Sequence, residues 1–215
     1  MQHQLNPRLA EELRRVAVVP VLTIDKPETA LPLARALVAG GLNILEITLR
    51  TPAALEAMRA IAKDVPGALV GAGTVLTPEH GQQAVAAGAR FLVSPGMTPR
   101  LLEAAQGWNV PFLPGVATAS EGMALSDLGY KVVKFFPAEP AGGVAALKAL
   151  GAPLPGILFC PTGGIDLAKA PNYLALPNVV TVGGSWVAPA KAIAAGDWTA
   201  IETLAREAAA LRRPS

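Results

Sequence analysis

Lys134 stands inside the apolar run Val132, Val133, Phe135 and Phe136, and Glu46 stands inside the run NILEITL at 43–49. Strand side chains alternate between two faces, so Val132, Lys134 and Phe136 share one side, and Glu46, Thr48 and Arg50 share one side of the other run. Desolvation by the surrounding phenylalanines and valines disfavours the ammonium form of such a lysine and favours the free amine, which can attack a carbonyl. Arg50 acts in the same direction and a Glu46 carboxylate in the opposite one, so the balance stays open at this level. One positioned carboxyl group can carry the protons that imine formation and carbon-carbon cleavage require. Arg50, one step further along the same face, suits a fork onto a substrate carboxylate. These residue types describe a Schiff-base lyase acting on a 2-oxo acid. The turns PTGG (161–164) and GGS (183–185) bring Gly163, Gly164, Gly184 and Ser185. Backbone N–H groups there can close on an anion where no Cβ intervenes, which suggests a phosphate at the far end of the substrate.

On an edge strand Lys134 would simply snorkel to solvent, its stem covering apolar surface. The organisation of the chain removes that option. Apolar runs begin at residues 16, 43, 69, 91, 111, 131, 157 and 179 and alternate with Ala- and Leu-rich helical segments. Spacings of roughly 20 to 27 residues leave room for one helix and two short loops each time, the pattern of successive βαβ units. Eight such units close on themselves, so the expected fold is a single (β/α)8 TIM barrel over residues 1–215, with an additional N-terminal helix from about Pro7 to Arg15. All strands of such a barrel are interior, and reactive groups gather at their C-terminal ends. Thr74 lies near the end of the third run, Pro95 ends the fourth, and PTGG and GGS follow the seventh and eighth. The glycine pairs could be mere turns, Arg50 a solvated strand end and Glu46 a structural partner. Two opposite charges buried mid-strand are often no better for stability than hydrophobes, which turns Glu46 and Lys134 towards a functional reading.

Hydrophobic residues make up 52% of the 215 residues and charged residues only 16%. The charged share of a typical domain is about 25%, so part of the surface is expected to be covered by another subunit. The net charge of +2 comes from 18 basic and 16 acidic residues with no basic block, which argues against nucleic acid. The first fifteen residues carry Glu11 and Glu12 and lack an apolar core, unlike a signal or transit peptide, so a cytoplasmic location is expected. The uncharged stretch 170–190 is interrupted by Pro171, Pro177, Pro189 and Gly183-Gly184, which argues against a membrane helix. Cys160 is alone and reads as a small buried hydrophobe with no assigned role. A metal-dependent aldolase would need clustered ligands, whereas the histidines are His3 and His80, both expected at the surface, so no metal and no other cofactor is expected. A phosphate-sugar isomerase could use the same glycine pairs without needing Lys134. A non-catalytic barrel binding phosphorylated acids would bind pyruvate without ever forming a covalent adduct.

Across nearly its whole length the chain resembles the bacterial 2-keto-3-deoxy-6-phosphogluconate aldolases, in the motifs EITLRT, GAGTV, SPGMT, KFFPAE, FCPTGG and GGSW. The resemblance implies cleavage of that phosphorylated 2-oxo acid to pyruvate and glyceraldehyde 3-phosphate, by a class I mechanism in a homotrimeric barrel of the Entner-Doudoroff pathway. It makes Lys134 the imine-forming lysine, Glu46 the acid and base, and Arg50 with Thr74 the pyruvate carboxylate site. It also implies that Pro95 and Phe136 line the pocket, that Thr162 sits near the substrate hydroxyls, and that Gly163, Gly164 and Ser185, with Gly184 of the same turn, hold the phosphate. Cleavage of 4-hydroxy-2-oxoglutarate is implied as a side activity. Aldolases for the C4-epimeric 2-keto-3-deoxy-6-phosphogalactonate share the fold and the lysine chemistry, which leaves the C4 preference open.

Overall fold

The computed structural model describes residues 7–211. The strands are β1 (Val18–Leu22), β2 (Ile44–Thr48), β3 (Leu69–Gly73), β4 (Leu92–Val93), β5 (Phe112–Leu113), β6 (Gly115–Val116), β7 (Val132–Phe135), β8 (Leu158–Pro161) and β9 (Val182–Gly184). The helices are α1 (Pro7–Arg14), α2 (Ala30–Ala39), α3 (Ala54–Asp64), α4 (Pro78–Ala86), α5 (Pro99–Ala105), α6 (Ala119–Asp127), α7 (Gly143–Gly151), α8 (Ala170–Leu174), α9 (Ala190–Ala195) and α10 (Trp198–Ala209). Among the described residues no helix is long and apolar enough to cross a membrane.

The fold is α/β, built on a curled sheet of parallel strands. One sheet has the order β5-β4-β3-β2-β1-β9 and the other β6-β7-β8. Isolated parallel bridges, Phe159 with Val179 and Thr162 with Gly183, link the strand regions of β8 and β9. The fifth apolar run, expected as one strand, forms two short ones because Pro114 sits in its middle and has no N–H to give. Leu113 O accepts from Ser94 N on the β4 side (3.1 Å), whereas Pro114 O accepts from Lys134 N on the β7 side (2.9 Å). The remaining seven runs each contain one strand.

Alternation sorts the apolar side chains into two layers. Val18, Leu45, Ile47, Val70, Ala72, Leu92, Phe112, Val133, Phe135, Phe159 and Val182 belong to the larger cluster, which they share with the buried faces of α2, α3 and α10. Val19, Ile44, Phe91, Val93, Leu113, Val132 and Cys160 form a separate inner cluster together with Leu9 and Leu13 of α1. The N-terminal helix therefore contributes to the inner layer. Several loops after strands end in a capped helix. Thr77, Thr98 and Thr118 each accept a hydrogen bond from the N–H three residues on, at 3.2, 3.2 and 3.3 Å, and Pro78 and Pro99 occupy the first helical turn.

Candidate active site

Glu46 and Lys134 lie on strands in different sheets, and their side chains meet. Lys134 Nζ donates to Glu46 Oε1 at 3.0 Å, with side-chain exposures of 6% and 5%. No strand pairing joins β2 to β7, so the contact crosses the interior that the curled sheet encloses. Lys134 is neighboured in register by Gly115 on one side and Cys160 on the other. Its ammonium group also stands 5.6 Å from the centroid of the Phe136 ring, within cation-π range.

Gly73 of β3 makes room for Glu46 and Gly71 makes room for Phe91, two positions that the motif GAGTV alone does not single out. A Cβ on Gly73 would lie 2.2 Å from Glu46 Oε1, and one on Gly71 would lie 2.3 Å from the Phe91 ring. Any other residue at 73 would push the carboxylate away from its present place beside Lys134. Cys160, assigned no role, is buried as expected, and it lies next to Lys134. Burial pushes its thiol up to about 12, against the pull of the Lys134 charge. At neutral pH the thiol is therefore uncharged.

Arg50 follows β2 and is exposed at the mouth, where its Nε donates to Thr74 Oγ1 at 3.2 Å. Using Nε there leaves both Nη groups for a carboxylate. Thr74 is held at φ 60°, a left-handed conformation that a β-branched residue rarely adopts. Such strain costs on the order of 1–3 kcal/mol and clusters at functional positions. Thr48, between Glu46 and Arg50 on the same face, is fully buried and donates to Leu22 O at 2.8 Å, which ties β2 to β1 beneath the site.

Pro95 is brought close by Gly115, where a Cβ would lie 2.2 Å from Pro95 O. Phe136 reaches towards the turn after β8, since a Cβ on Gly163 would lie 3.4 Å from its ring. Thr162 is buried and rests against Gly183, where a Cβ would lie 2.2 Å from its Oγ1. Gly163 and Gly164 adopt φ of 110° and 79°, so both need to be glycine or carry strain. Among the described residues no backbone carbonyl accepts from the N–H of Gly164. Gly184 is covered by the Trp186 ring, 1.8 Å from where a Cβ would be, and Ser185 beside it is exposed. The site residues thus form linked groups: Arg50 with Thr74, Glu46 with Lys134 and Phe136, and the 162–164 turn with 183–185. His80 is half-buried near the start of α4, where its Nδ1 accepts from Leu76 N at 3.4 Å, and His3 lies outside the described residues.

The profile described as "Aldolase: KDPG and KHG aldolase" matches residues 9–204. The KHG/KDPG aldolase of Escherichia coli (strain K12) is 54% identical over 191 residues, which is 89% of this chain and 90% of that protein. A crystal structure of KDPG aldolase from Legionella pneumophila, with pyruvate captured at low pH as a covalent carbinolamine intermediate, superposes with a TM-score of 0.91 at 47% identity, covering 93% of this chain and 97% of the other. The 2-keto-3-deoxy-6-phosphogluconate aldolase of Zymomonas mobilis ZM4 with 3-phosphoglycerate gives a TM-score of 0.90 at 49% identity, covering 97% of this chain and 98% of the other.

Proposed function

The chain belongs to the KDPG and KHG aldolase family, and from that premise we propose that it is a class I aldolase cleaving 2-keto-3-deoxy-6-phosphogluconate to pyruvate and glyceraldehyde 3-phosphate. The observation that carries the reading is the buried contact between Lys134 Nζ and Glu46 Oε1 at 3.0 Å, an amine and a proton carrier already in contact. Lys134 passes a proton to Glu46, and its free amine attacks C2 of the substrate to form a carbinolamine. The proton returns to the C2 hydroxyl, which leaves as water and yields the iminium ion. The C4 hydroxyl then gives its proton to Glu46 as the C3–C4 bond breaks, its electron pair moving towards the iminium nitrogen. Glyceraldehyde 3-phosphate leaves, C3 of the enamine is reprotonated, and hydrolysis frees pyruvate and Lys134. Cleavage of 4-hydroxy-2-oxoglutarate to pyruvate and glyoxylate follows the same steps.

In this scheme Arg50 and Thr74 hold the carboxylate of the pyruvate half, Pro95 and Phe136 line the pocket, and Thr162 meets the substrate hydroxyls. Gly163, Gly164, Gly184 and Ser185 hold the phosphate. The frame is one (β/α)8 barrel domain over residues 1–215, with the N-terminal helix as an addition. Closure is supported by the bridges between the β8 and β9 regions, by the run through Pro114 that pairs on both sides, and by the contact across the interior. The protein assembles as a homotrimer and works in the cytoplasm, in the Entner-Doudoroff pathway. Assembly is supported by the low charged share of 16%. It is also supported by Leu76, Met123 and Leu128, which stand 53%, 57% and 51% exposed.

The test of the substrate assignment is cleavage of the phosphorylated substrate and of its non-phosphorylated analogue by the wild type and by Ser185→Asp. Valine at Gly163 or Gly184 would disturb the fold whatever binds there, because of the positive φ of the first and the Trp186 ring over the second. Ser185 is exposed, and an aspartate there opposes the phosphate by like charge. Ser185→Asp is expected to lower kcat/KM for the phosphorylated substrate by about tenfold or more and to leave pyruvate imine formation nearly unchanged. Equal losses on both substrates and on pyruvate would place the phosphate elsewhere.

A further inference from the structure

Lys169 reaches the Gly163–Gly164 turn from behind. Its Nζ donates to Gly164 O at 2.9 Å and pairs with Glu139 Oε2 at 2.9 Å, with Asp166 Oδ2 at 4.0 Å. Glu139 is fixed in turn, because its Oε1 accepts from the hydroxyl of the buried Tyr173 on α8. The backbone N–H of Glu139 donates to Gly163 O at 3.0 Å. The Glu139 stem also fills the space beside Gly164, where a Cβ would lie 2.8 Å from Glu139 Cγ. Both carbonyls of the glycine pair are therefore held on one side, by two groups that come from the β7–α7 and β8–α8 loops.

A trans peptide unit points its C=O and its following N–H in opposite directions. Holding Gly163 O towards Glu139 aims the Gly164 N–H the other way, and holding Gly164 O towards Lys169 does the same for the Ile165 N–H. Neither of these N–H groups donates to a backbone carbonyl among the described residues. Free to rotate, a pair of glycines would sample many orientations, and ordering them on binding would weaken affinity. We infer that Lys169, Glu139 and Tyr173 form a positioning brace that pre-orients the Gly163–Gly164 turn towards the substrate phosphate, so that these three side chains tune recognition of phosphorylated substrates without touching them. The inference rests on the phosphate assignment made above. The Lys169 charge is matched by Glu139 and faced by Asp166, so the brace contributes orientation and no net positive attraction.

The experiment measures KM and kcat with the phosphorylated substrate and its non-phosphorylated analogue, and the rate of pyruvate imine formation, for Lys169→Met, Lys169→Arg and Tyr173→Phe. Loss of one charge-assisted hydrogen bond that orients the turn is expected to raise KM for the phosphorylated substrate about tenfold in Lys169→Met. The analogue and the imine rate should change by less than about twofold. Lys169→Arg, which keeps the charge and the donors, should restore most of the affinity, and Tyr173→Phe should give a smaller rise in the same direction. Tyr173→Phe carries the test alone if Lys169→Met does not fold. Unchanged KM in Lys169→Met and Tyr173→Phe, or equal losses on both substrates and on imine formation, would overturn the brace. With Ser185→Asp as reference the two claims separate. If Ser185→Asp selectively weakens the phosphorylated substrate and the brace variants do not, only the brace is wrong; if Ser185→Asp shows no selective effect, the phosphate assignment fails and the brace falls with it.

Discussion

Replacing Lys134 by Met is expected to lower aldol cleavage by roughly 10⁴-fold or more, because among the described residues Lys134 is the amine paired with Glu46. The same change leaves Glu46 buried at 5% side-chain exposure with its cationic partner gone. Breaking a buried pair in this way costs about 3–5 kcal/mol, so a fall in melting temperature would accompany the loss of activity and could be mistaken for its cause. The double variant Lys134→Met/Glu46→Gln separates the two effects. It removes both charges, should recover much of the lost stability, and should remain inactive. Thermal unfolding and single-turnover cleavage on the three proteins provide the comparison. Residual turnover in folded Lys134→Met above about a hundredth of wild type would remove Lys134 from the nucleophile's role.

Glu46→Gln is expected to cost roughly a hundredfold or more in turnover, for a different reason. Glutamine has the shape of glutamate, fits the space that Gly73 leaves open, and still offers an amide oxygen to Lys134 Nζ. What it lacks is the ability to take up and return a proton. Imine formation needs proton transfer to the departing hydroxyl, and carbon-carbon cleavage needs removal of the C4 hydroxyl proton, so each step written above slows. Exchange of the pyruvate methyl protons with solvent isolates this function from cleavage, since it requires the enamine but no phosphorylated substrate. Exchange in Glu46→Gln should fall along with turnover. Exchange at the wild-type rate would show that Glu46 is only a structural counter-charge and that another group moves the protons.

How far the sequence discloses this site depends on whether a feature is local or spans elements. Alternation within one run is local, and it places Glu46, Thr48 and Arg50 on one face and sets Lys134 apart from Val133 and Phe135, as the two packed layers bear out. The limits of the N-terminal helix, expected from Pro7 to Arg15 and found at Pro7–Arg14, follow from equally local signals. Register between strands is not local. That Cys160 is opposite Lys134, and that Gly71 and Gly73 open the space for Phe91 and Glu46, depends on which residues pair across β2, β3, β7 and β8. The glycines in GAGTV could have been suspected, since two inward glycines in one strand leave a gap that something must fill. Pro114 was visible as a break in the run PFLPGV, and its missing N–H explains why one apolar run forms two strands. The contact of Tyr173 with Glu139 and of Lys169 with Gly164 joins separate loops, and nothing in either segment alone points to it.

The central claim is a covalent bond between pyruvate and one buried lysine, and borohydride reduction tests it directly. Protein treated with pyruvate and borohydride should lose activity irreversibly and gain the mass of one reduced pyruvate adduct, with peptide mapping placing the adduct on Lys134. Protein treated with borohydride alone should keep its activity and mass. An unmodified Lys134, or label spread over other lysines such as Lys63 and Lys191, would contradict the Schiff-base account.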